Sequence, residues 1–286
     1  MSEPKNITVS VKDRLRDIAR RENKNHQLLL LRYFQERFLY RLSLSKYRSH
    51  FCLKGAAFLY ALEGEKSRVT KDIDFLGMRI PSKQAIIKEA ILAICQIQYD
   101  KDGVTFNFDS LEIADIIKEG NYHGIRVGIT AHLDRTKQKL QIDIGFGDVV
   151  TPYPNEMTYP VILEMDAPVL YAYSIESVIA EKFEAMIDLA EVNTRMKDFY
   201  DVYHLLRNHE VDKGLLKKAV QATFKKRGTP ANQNHSLFFE AFYTDANRIK
   251  LWRAWLDKTG LNASLEFSEI MNLIISQLKP IIEKLS

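Results

Sequence analysis

Apolar residues return every three or four positions along the first part of the chain, which predicts helical structure over residues 8–48. A short apolar piece at residues 50–55, HFCLKG, leads into another predicted helix. A further helix, with a proline at its start, is predicted at residues 81–97. Segments that alternate apolar and polar residues predict strands at residues 71–80, 103–115, 123–134 and 139–150.

The second part of the chain has a different pattern. After the proline-bearing stretch at residues 151–173, the period is helical and strand patterns stop, so four or five helices are predicted from Ser174 onward. This order of elements favours an α+β fold, with a mixed β-sheet flanked by helices and then a helical C-terminal domain. We expect a boundary near residue 168, giving domains of residues 1–167 and 168–286.

Composition narrows the class of protein. The 286 residues are 46% hydrophobic, which is enough to form a substantial core and two packed units. No apolar run approaches the roughly 18 residues of a membrane span, and the N-terminal residues lack the apolar segment of a secretory signal. We therefore expect a cytoplasmic protein without a membrane partner. Cys52 and Cys95 lie in apolar surroundings without a CxxC spacing, so buried free thiols are expected.

Positive charge is concentrated in one predicted helix. The net charge of +4 permits a nucleic-acid partner without requiring one. The helix and its end could be an ordinary solvated face or a surface that binds the phosphates of RNA, and both interpretations stay open. The residues concerned are Lys217, Lys218, Lys225, Lys226 and Arg227.

Two aspartates stand inside an apolar strand pattern. Residues two apart in a strand point to the same side, so Asp72 and Asp74 share one face about 7 Å apart. Ile73 and Phe75 point to the opposite side, toward the core. Two interpretations explain this pattern. The strand could lie at the edge of the sheet with the aspartates facing water. Alternatively, the aspartates could bind a cation, which would offset the repulsion between neighbouring carboxylates.

A third aspartate favours the interpretation that these residues bind a cation. In KLQIDIGFG, Asp143 stands on the polar side of an alternating strand. If the two strands are neighbours, Asp72, Asp74 and Asp143 can bind one or two Mg²⁺ ions, which prefer carboxylate and phosphate oxygens. Such a site supports displacement at phosphorus, in which one carboxylate can help activate the attacking oxygen. The DxD spacing alone also occurs in glycosyltransferases, which would bind a sugar nucleotide.

A lysine interrupts the apolar stripe of the predicted helix after Ser174. Lys182 stands four residues from both Val178 and Met186. Its stem could pack while its ammonium reaches water, or it could project toward an anion such as a nucleotide phosphate. In the next helix, Asp198 and Asp201 are neighbours, with Arg195 and Lys197 beside them.

These segments together resemble the AbiEii/AbiGii toxin family of nucleotidyltransferases, which includes the MenT toxins and belongs to the DNA polymerase beta-like superfamily. The resemblance rests on LKGAAFLYALEGEKSRVTKDIDF and IAEKFEAMIDLAEVNTRMKDFYDVYHLL. They match the family's KGG turn, its R-x-[ST]-x-D-[ILV]-D strand, its EK helix and its R-x-[KR]-D-x-x-D helix. Ala56 stands where the second glycine of KGG is usual.

The resemblance implies a role for each matching residue. Asp72 and Asp74 would bind Mg²⁺ or Mn²⁺, with Asp143 as the superfamily's third carboxylate, and Lys182 and Asp198 would act in catalysis. The helical domain would complete the active-site cleft. The expected nucleotide-binding residues are Lys54, Gly55, Ala56, Arg68, Thr70, Arg195, Lys197 and Asp201.

The resemblance also implies an activity. The substrate would be an NTP, and its NMP would pass to an acceptor, the tRNA 3′ end, with release of pyrophosphate and inhibition of translation. A cognate antitoxin encoded nearby and a role in abortive infection are implied as well. The alternative is a nucleotidyltransferase fold without turnover that holds a nucleotide or RNA for regulation, and the Ala56 position is the one feature that favours it.

Overall fold

The computed structural model of the chain describes residues 7–64, 70–117, 123–259, 261 and 264–285. It forms two compact units, Met1–Gly147 with Asn155–Ala172, and Asp148–Pro154 with Tyr173–Ser286. The chain therefore crosses between units more than once, whereas a single boundary was expected near residue 168. The reason is that residues 155–172 return to the first unit and add strands to its sheet.

The first unit is built on a mixed sheet. Its strands are β1 (Phe51–Lys54), β2 (Asp72–Gly77), β3 (Thr105–Ile117), β4 (His123–Leu133), β5 (Thr136–Phe146), β6 (Asn155–Thr158) and β7 (Val169–Ala172). They stand in the order β3-β4-β5-β2-β1-β7-β6. The pairs β2·β5 and β1·β7 are parallel, and the other neighbours are antiparallel.

The predicted strands are confirmed as β2 to β5, with small differences at their ends. Three further strands, β1, β6 and β7, lie in segments where no strand was predicted. Each has four residues, which is too short for apolar and polar positions to show a clear alternation. Their pairing with distant partners, as in β1 with β7, stabilises them in the sheet.

The described helices of this unit are α1 (Ile7–Arg21), α2 (His26–Leu44), α3 (Gly55–Glu63) and α4 (Gln84–Cys95). Helices α2, α3 and α4 pack on the sheet, and α1 packs on α2. The continuous helix predicted over residues 8–48 is wrong, because the chain turns between α1 and α2, where Asn23 has a φ of 50°. Asn25 then caps α2, its side-chain oxygen accepting hydrogen bonds from the backbone of Gln27 and Leu28.

Apolar side chains fill the space between α2 and the sheet. α2 contacts β5 and β7, and α3 contacts β1 and β2. Phe34 and Phe38 of α2 are fully buried, as are Ile142 and Ile144 of β5. Because Ile142 and Ile144 flank Asp143, the side chain of Asp143 lies on the other face of the sheet.

The second unit is helical. Its described helices are α5 (Ile175–Leu189), α6 (Met196–Asn208), α7 (Lys213–Arg227), α8 (Glu240–Thr244), α9 (Ala246–Thr259) and α10 (Phe267–Glu283). α5 packs on α6 and α7, and α6 also contacts α9 and α10. Aromatic side chains dominate its core, with Phe199 edge-on to Phe267 and Trp252 tilted against Phe267.

Cys52 and Cys95 are both buried and form no disulfide, as predicted. None of the helices within the described ranges combines the length and the apolar composition that a membrane span requires. An α+β architecture with a mixed sheet, flanking helices and a helical C-terminal part is confirmed.

Candidate active site

Strand pairing brings three carboxylates together. β2 and β5 are parallel neighbours, and their register places Asp74 directly opposite Asp143. Asp72 stands on the same face as Asp74, two residues earlier in β2. One carboxylate oxygen from each aspartate lies within 4.8 Å of the others, and all three residues are half-buried. We call Asp72, Asp74 and Asp143 the aspartate cluster.

The start of α3 lies against this cluster. Gly55 has a φ of +65°, a conformation that side-chain-bearing residues rarely adopt. A Cβ atom at Gly55 would lie only 2.2 Å from Oδ2 of Asp74, so the absent side chain makes room for the carboxylate. Lys54, which is buried, stands opposite Asp74 in the β1·β2 register. Ala56 follows inside the helix and is buried.

Thr70 fixes the first aspartate. Its hydroxyl donates a hydrogen bond to Oδ1 of Asp72 at 2.7 Å. This contact orients the Asp72 carboxylate. Arg68, which was expected on the triphosphate side with Thr70, lies outside the described residues.

Arg126 of β4 is a member of the site that sequence reasoning missed. It stands opposite Asp143 in the β4·β5 register. Its Nε and Nη2 atoms donate to Oδ1 and Oδ2 of Asp143 at 2.8 and 2.6 Å. The hydrogen bonds to Asp143 raise the pKa of the Arg126 guanidinium above its usual value, and the charges of all three aspartates favour its charged form.

The aspartate cluster fits a divalent metal ion. Carboxylate oxygens are the ligands that Mg²⁺ and Mn²⁺ prefer, and three of them converge here from two adjacent strands. Like charges at this separation repel one another, so a cation stabilises the arrangement. The space that Gly55 leaves beside Asp74 supports the same interpretation, since a larger residue would displace a ligand oxygen.

A second group of charges lies in the helical unit. The ammonium of Lys182 in α5 lies 2.6 Å from Oδ1 of Asp198 and 2.9 Å from Oδ2 of Asp201, both in α6. The two carboxylates are almost completely buried, and the lysine side chain is 12% exposed. We call Lys182, Asp198 and Asp201 the lysine cluster. Of the two outcomes that its position in the stripe left open, Lys182 meets an anion, and the anions are aspartates of the same unit.

The edge of the lysine cluster is more open. Nε of Arg195 lies 2.7 Å from Oδ2 of Asp198, and Arg195 and Lys197 are both exposed. Burial raises the pKa of Asp198, but the charges of Lys182 and Arg195 outweigh burial and hold that pKa below its ordinary value. Asp198 is therefore a stable carboxylate anion at neutral pH.

The basic helix is confirmed as α7, but its charges differ in their surroundings. Lys218, Lys225 and Lys226 are exposed, and Lys217 is half-buried. Arg227 is different, because its guanidinium pairs with Glu184 at 2.6 Å and with Asp148 at 3.0 Å. Arg227 thus joins helix α7 to other parts of its own unit and does not belong to an open basic surface.

Comparison with known proteins identifies the family. The model of a family described as nucleotidyl transferase AbiEii toxin, type IV TA system, matches residues 37–272, which is most of the chain. A comparison with curated proteins finds no match.

Solved structures that resemble this chain share little sequence identity with it. Two similar structures are from Helicobacter pylori, a putative nucleotidyltransferase and JHP933, and each is 18% identical to this chain with a TM-score of 0.49. Each match covers 91% of this chain. It covers 97% of the putative nucleotidyltransferase and 94% of JHP933. An antigenic nucleotidyltransferase-like protein from Paracoccidioides brasiliensis is 12% identical, covering 83% of this chain and 92% of its own, with a TM-score of 0.39. At these values the family match alone identifies the chain. The protein belongs to the AbiEii family of toxins from type IV toxin–antitoxin systems and is a nucleotidyltransferase.

Proposed function

We propose that this toxin transfers an NMP from an NTP to the 3′ end of an RNA, with tRNA as the acceptor, and thereby inhibits translation and growth. The observation that carries the proposal is the aspartate cluster, with three ligand oxygens within 4.8 Å of one another on one face of the sheet. Mg²⁺ or Mn²⁺ is the proposed cofactor. A MenT-like action, a role in abortive infection and a cytoplasmic location belong to the same proposal.

The proposed reaction balances as a single displacement. The 3′-hydroxyl oxygen of the acceptor forms a bond to the α-phosphorus of the NTP, and the bond from that phosphorus to the bridging oxygen breaks. Pyrophosphate leaves with the electron pair, and a carboxylate of the cluster accepts the hydroxyl proton. A metal ion bound to Asp72, Asp74 and Asp143 would neutralise charge on the triphosphate.

Other residues have proposed binding roles. Gly55 lies against Asp74, Thr70 hydrogen-bonds to Asp72, and Lys54 and Ala56 flank Gly55 in the chain. These four residues would contact the nucleotide, since amides at a helix start favour phosphate. In the helical unit we propose that Lys182 and Asp198 act in catalysis and that Arg195, Lys197 and Asp201 support them. Exposed Lys218, Lys225 and Lys226, with Lys217, would bind the RNA backbone.

The family also gives the biological setting. A type IV toxin–antitoxin system implies an antitoxin partner and a nucleotide substrate. We propose that the antitoxin is encoded by a neighbouring gene. Growth of cells that express the toxin, with and without that gene, would test this part directly.

The enzymatic part is tested with labelled nucleotides. The full chain is incubated with each α-³²P-labelled NTP, Mg²⁺ or Mn²⁺ and total RNA, and the products are separated by size. We expect one NTP to label a tRNA-sized band, and EDTA to abolish labelling. Label in a different RNA would replace tRNA as the acceptor. Nucleotide binding without pyrophosphate release under any NTP would instead support a regulatory module without turnover.

A further inference from the structure

Arg126 occupies both oxygens of one proposed metal ligand. Its guanidinium fork makes two hydrogen bonds to Asp143, at 2.8 and 2.6 Å, in the geometry that a carboxylate and an arginine prefer. Gln141 adds a longer contact, with its Nε2 atom 3.4 Å from Oδ2 of Asp143. In this arrangement Asp143 already has a cation, and a metal ion would have to compete with it.

The arginine is free enough to be exchanged. Its side chain is 49% exposed, although Asp143 is only 16% exposed. A half-exposed pair is worth little net free energy, because water screens both charges. The contrast with Lys182 is clear, since that side chain is 12% exposed between two buried carboxylates. The Arg126 guanidinium can therefore leave Asp143 without stranding itself in a dry environment.

Repulsion by a metal ion and attraction to phosphate would together move the Arg126 guanidinium. A divalent ion at Asp72, Asp74 and Asp143 would repel a guanidinium that stays in contact with Asp143. The proposed substrate brings a triphosphate to the same face of the sheet, and a planar guanidinium matches phosphate oxygens as well as it matches a carboxylate. Arg126 can thus offset the charge of Asp143 before the substrate binds and the charge of the triphosphate afterwards.

We propose that Arg126 is an exchangeable counterion: it binds Asp143 when the metal site is empty and moves to the triphosphate of the NTP when metal and nucleotide bind. The proposal rests on the proposed function, because it takes the aspartate cluster as the metal site and an NTP as the substrate. It adds Arg126 as a nucleotide-binding residue.

The test measures binding and needs no turnover. Isothermal calorimetry gives the Kd of Mn²⁺ for the full chain without nucleotide, and then the Kd of α,β-methylene analogues of the four NTPs at saturating Mn²⁺. We expect Arg126→Ala to bind Mn²⁺ about threefold to tenfold more tightly, because a competing and repelling charge is gone. The same variant should bind the preferred analogue about tenfold more weakly, since a charged phosphate contact is lost.

Two further variants sharpen the result. Arg126→Lys keeps the charge and loses the fork, so both Kd values should fall between those of the wild type and Arg126→Ala. It also serves if Arg126→Ala does not fold, which circular dichroism would show. The matched control is Lys139→Ala, which removes another strand cation, one whose partner is Glu112 at 2.6 Å. It should leave both Kd values unchanged.

The outcomes separate the two proposals. If the wild type binds Mn²⁺ and Arg126→Ala has the same two Kd values, the exchange is wrong and the proposed function stands. If Arg126→Ala binds Mn²⁺ more weakly, Arg126 merely holds Asp143 in place, and the exchange is again wrong. If neither the wild type nor any variant binds Mn²⁺, both the exchange and the metal-dependent function are wrong.

Discussion

The aspartate cluster and the lysine cluster both combine aspartates with a basic residue, but they differ in burial and in how the carboxylates are paired. In the lysine cluster, two buried carboxylates surround one ammonium, and Arg195 adds a second positive charge. In the aspartate cluster, three half-buried carboxylates converge, and Arg126 binds one of them from a half-exposed position. The carboxylates of the lysine cluster are paired with cations in a buried position, whereas those of the aspartate cluster crowd together in a half-buried one.

This difference separates two uses of charge. A buried and balanced cluster contributes to the fold, because removal of one partner leaves an uncompensated charge in a dry environment. An accessible and crowded acidic cluster contributes less to the fold, and its repulsion can be relieved by a ligand. We therefore expect substitutions in the aspartate cluster to change activity, and substitutions in the lysine cluster to change stability first.

The largest expected effect is on activity. Asp74→Asn keeps the shape of the side chain and removes one charge from the aspartate cluster. We expect NMP transfer to fall on the order of 10³-fold, about 4 kcal/mol in the barrier, with a Tm equal to or above that of the wild type. Single-turnover rates with the preferred labelled NTP give the first value, and calorimetry gives the second. Full activity in a folded Asp74→Asn protein would remove Asp74 from the mechanism.

The second effect is on stability. Lys182→Met keeps the length of the side chain and leaves Asp198 and Asp201 without their shared ammonium. We expect a loss of about 3 kcal/mol in the free energy of unfolding, measured with urea. The matched variant Arg126→Ala breaks a half-exposed pair and should cost about 1 kcal/mol or less. Equal losses in the two variants would show that burial does not distinguish the clusters.

A third prediction concerns the glycine beside the aspartate cluster. Gly55→Ala would place a Cβ 2.2 Å from Asp74 Oδ2, so we expect NMP transfer to fall about 10-fold to 100-fold as the carboxylate moves. Gly228→Ala is the control, since Gly228 also has a positive φ but a Cβ there meets nothing within 4 Å. It should cost about 1 kcal/mol of stability through backbone strain alone. Equal rates in the two variants would contradict the steric role of Gly55.

The smallest effect is a pH dependence. The pKa of Asp198 is held below its ordinary 3.8 by Lys182 and Arg195 against the effect of burial. Its contribution to stability is therefore present above pH 3.8 and is lost as the pH falls through the lower native pKa. In Asp198→Asn, the slope of the unfolding free energy between pH 4 and 2 should be smaller by up to about 1.4 kcal/mol per pH unit. An unchanged slope would show that another group dominates acid unfolding.

Alternation along the sequence predicted which face of its strand each residue of the aspartate cluster occupies. Ile73 and Phe75, like Ile142 and Ile144, are buried where the period of two requires it. What alternation cannot give is which strands are neighbours and in which register. For that reason the sequence predicted that Asp143 lies near Asp72 only if their strands are neighbours. The pairing of Asp143 with Arg126 could not be predicted.

Arg126 had a weak sequence pattern of its own. In HGIRVGITAHLD it stands between Ile125 and Val127, both fully buried, so it is the polar position of an alternating strand. Many surface arginines share this pattern, and only the β4·β5 register reveals the aspartate opposite. Lys182 was easier to recognise, because a charged residue inside an apolar stripe must either reach water or contact an anion. The identity of that anion required the packing of α5 on α6.

The parallel pairing of β2 with β5 also determines when the aspartate cluster can form. Asp74 and Asp143 are opposite each other in space but lie far apart along the chain, with β3 and β4 between them. Contacts between such distant residues form late, because the intervening chain must first be ordered. During synthesis, β2 emerges from the ribosome before β5, so the emerged chain at first contains Asp72 and Asp74 but not Asp143. A toxin built in this way has no complete aspartate cluster until β5 pairs with β2.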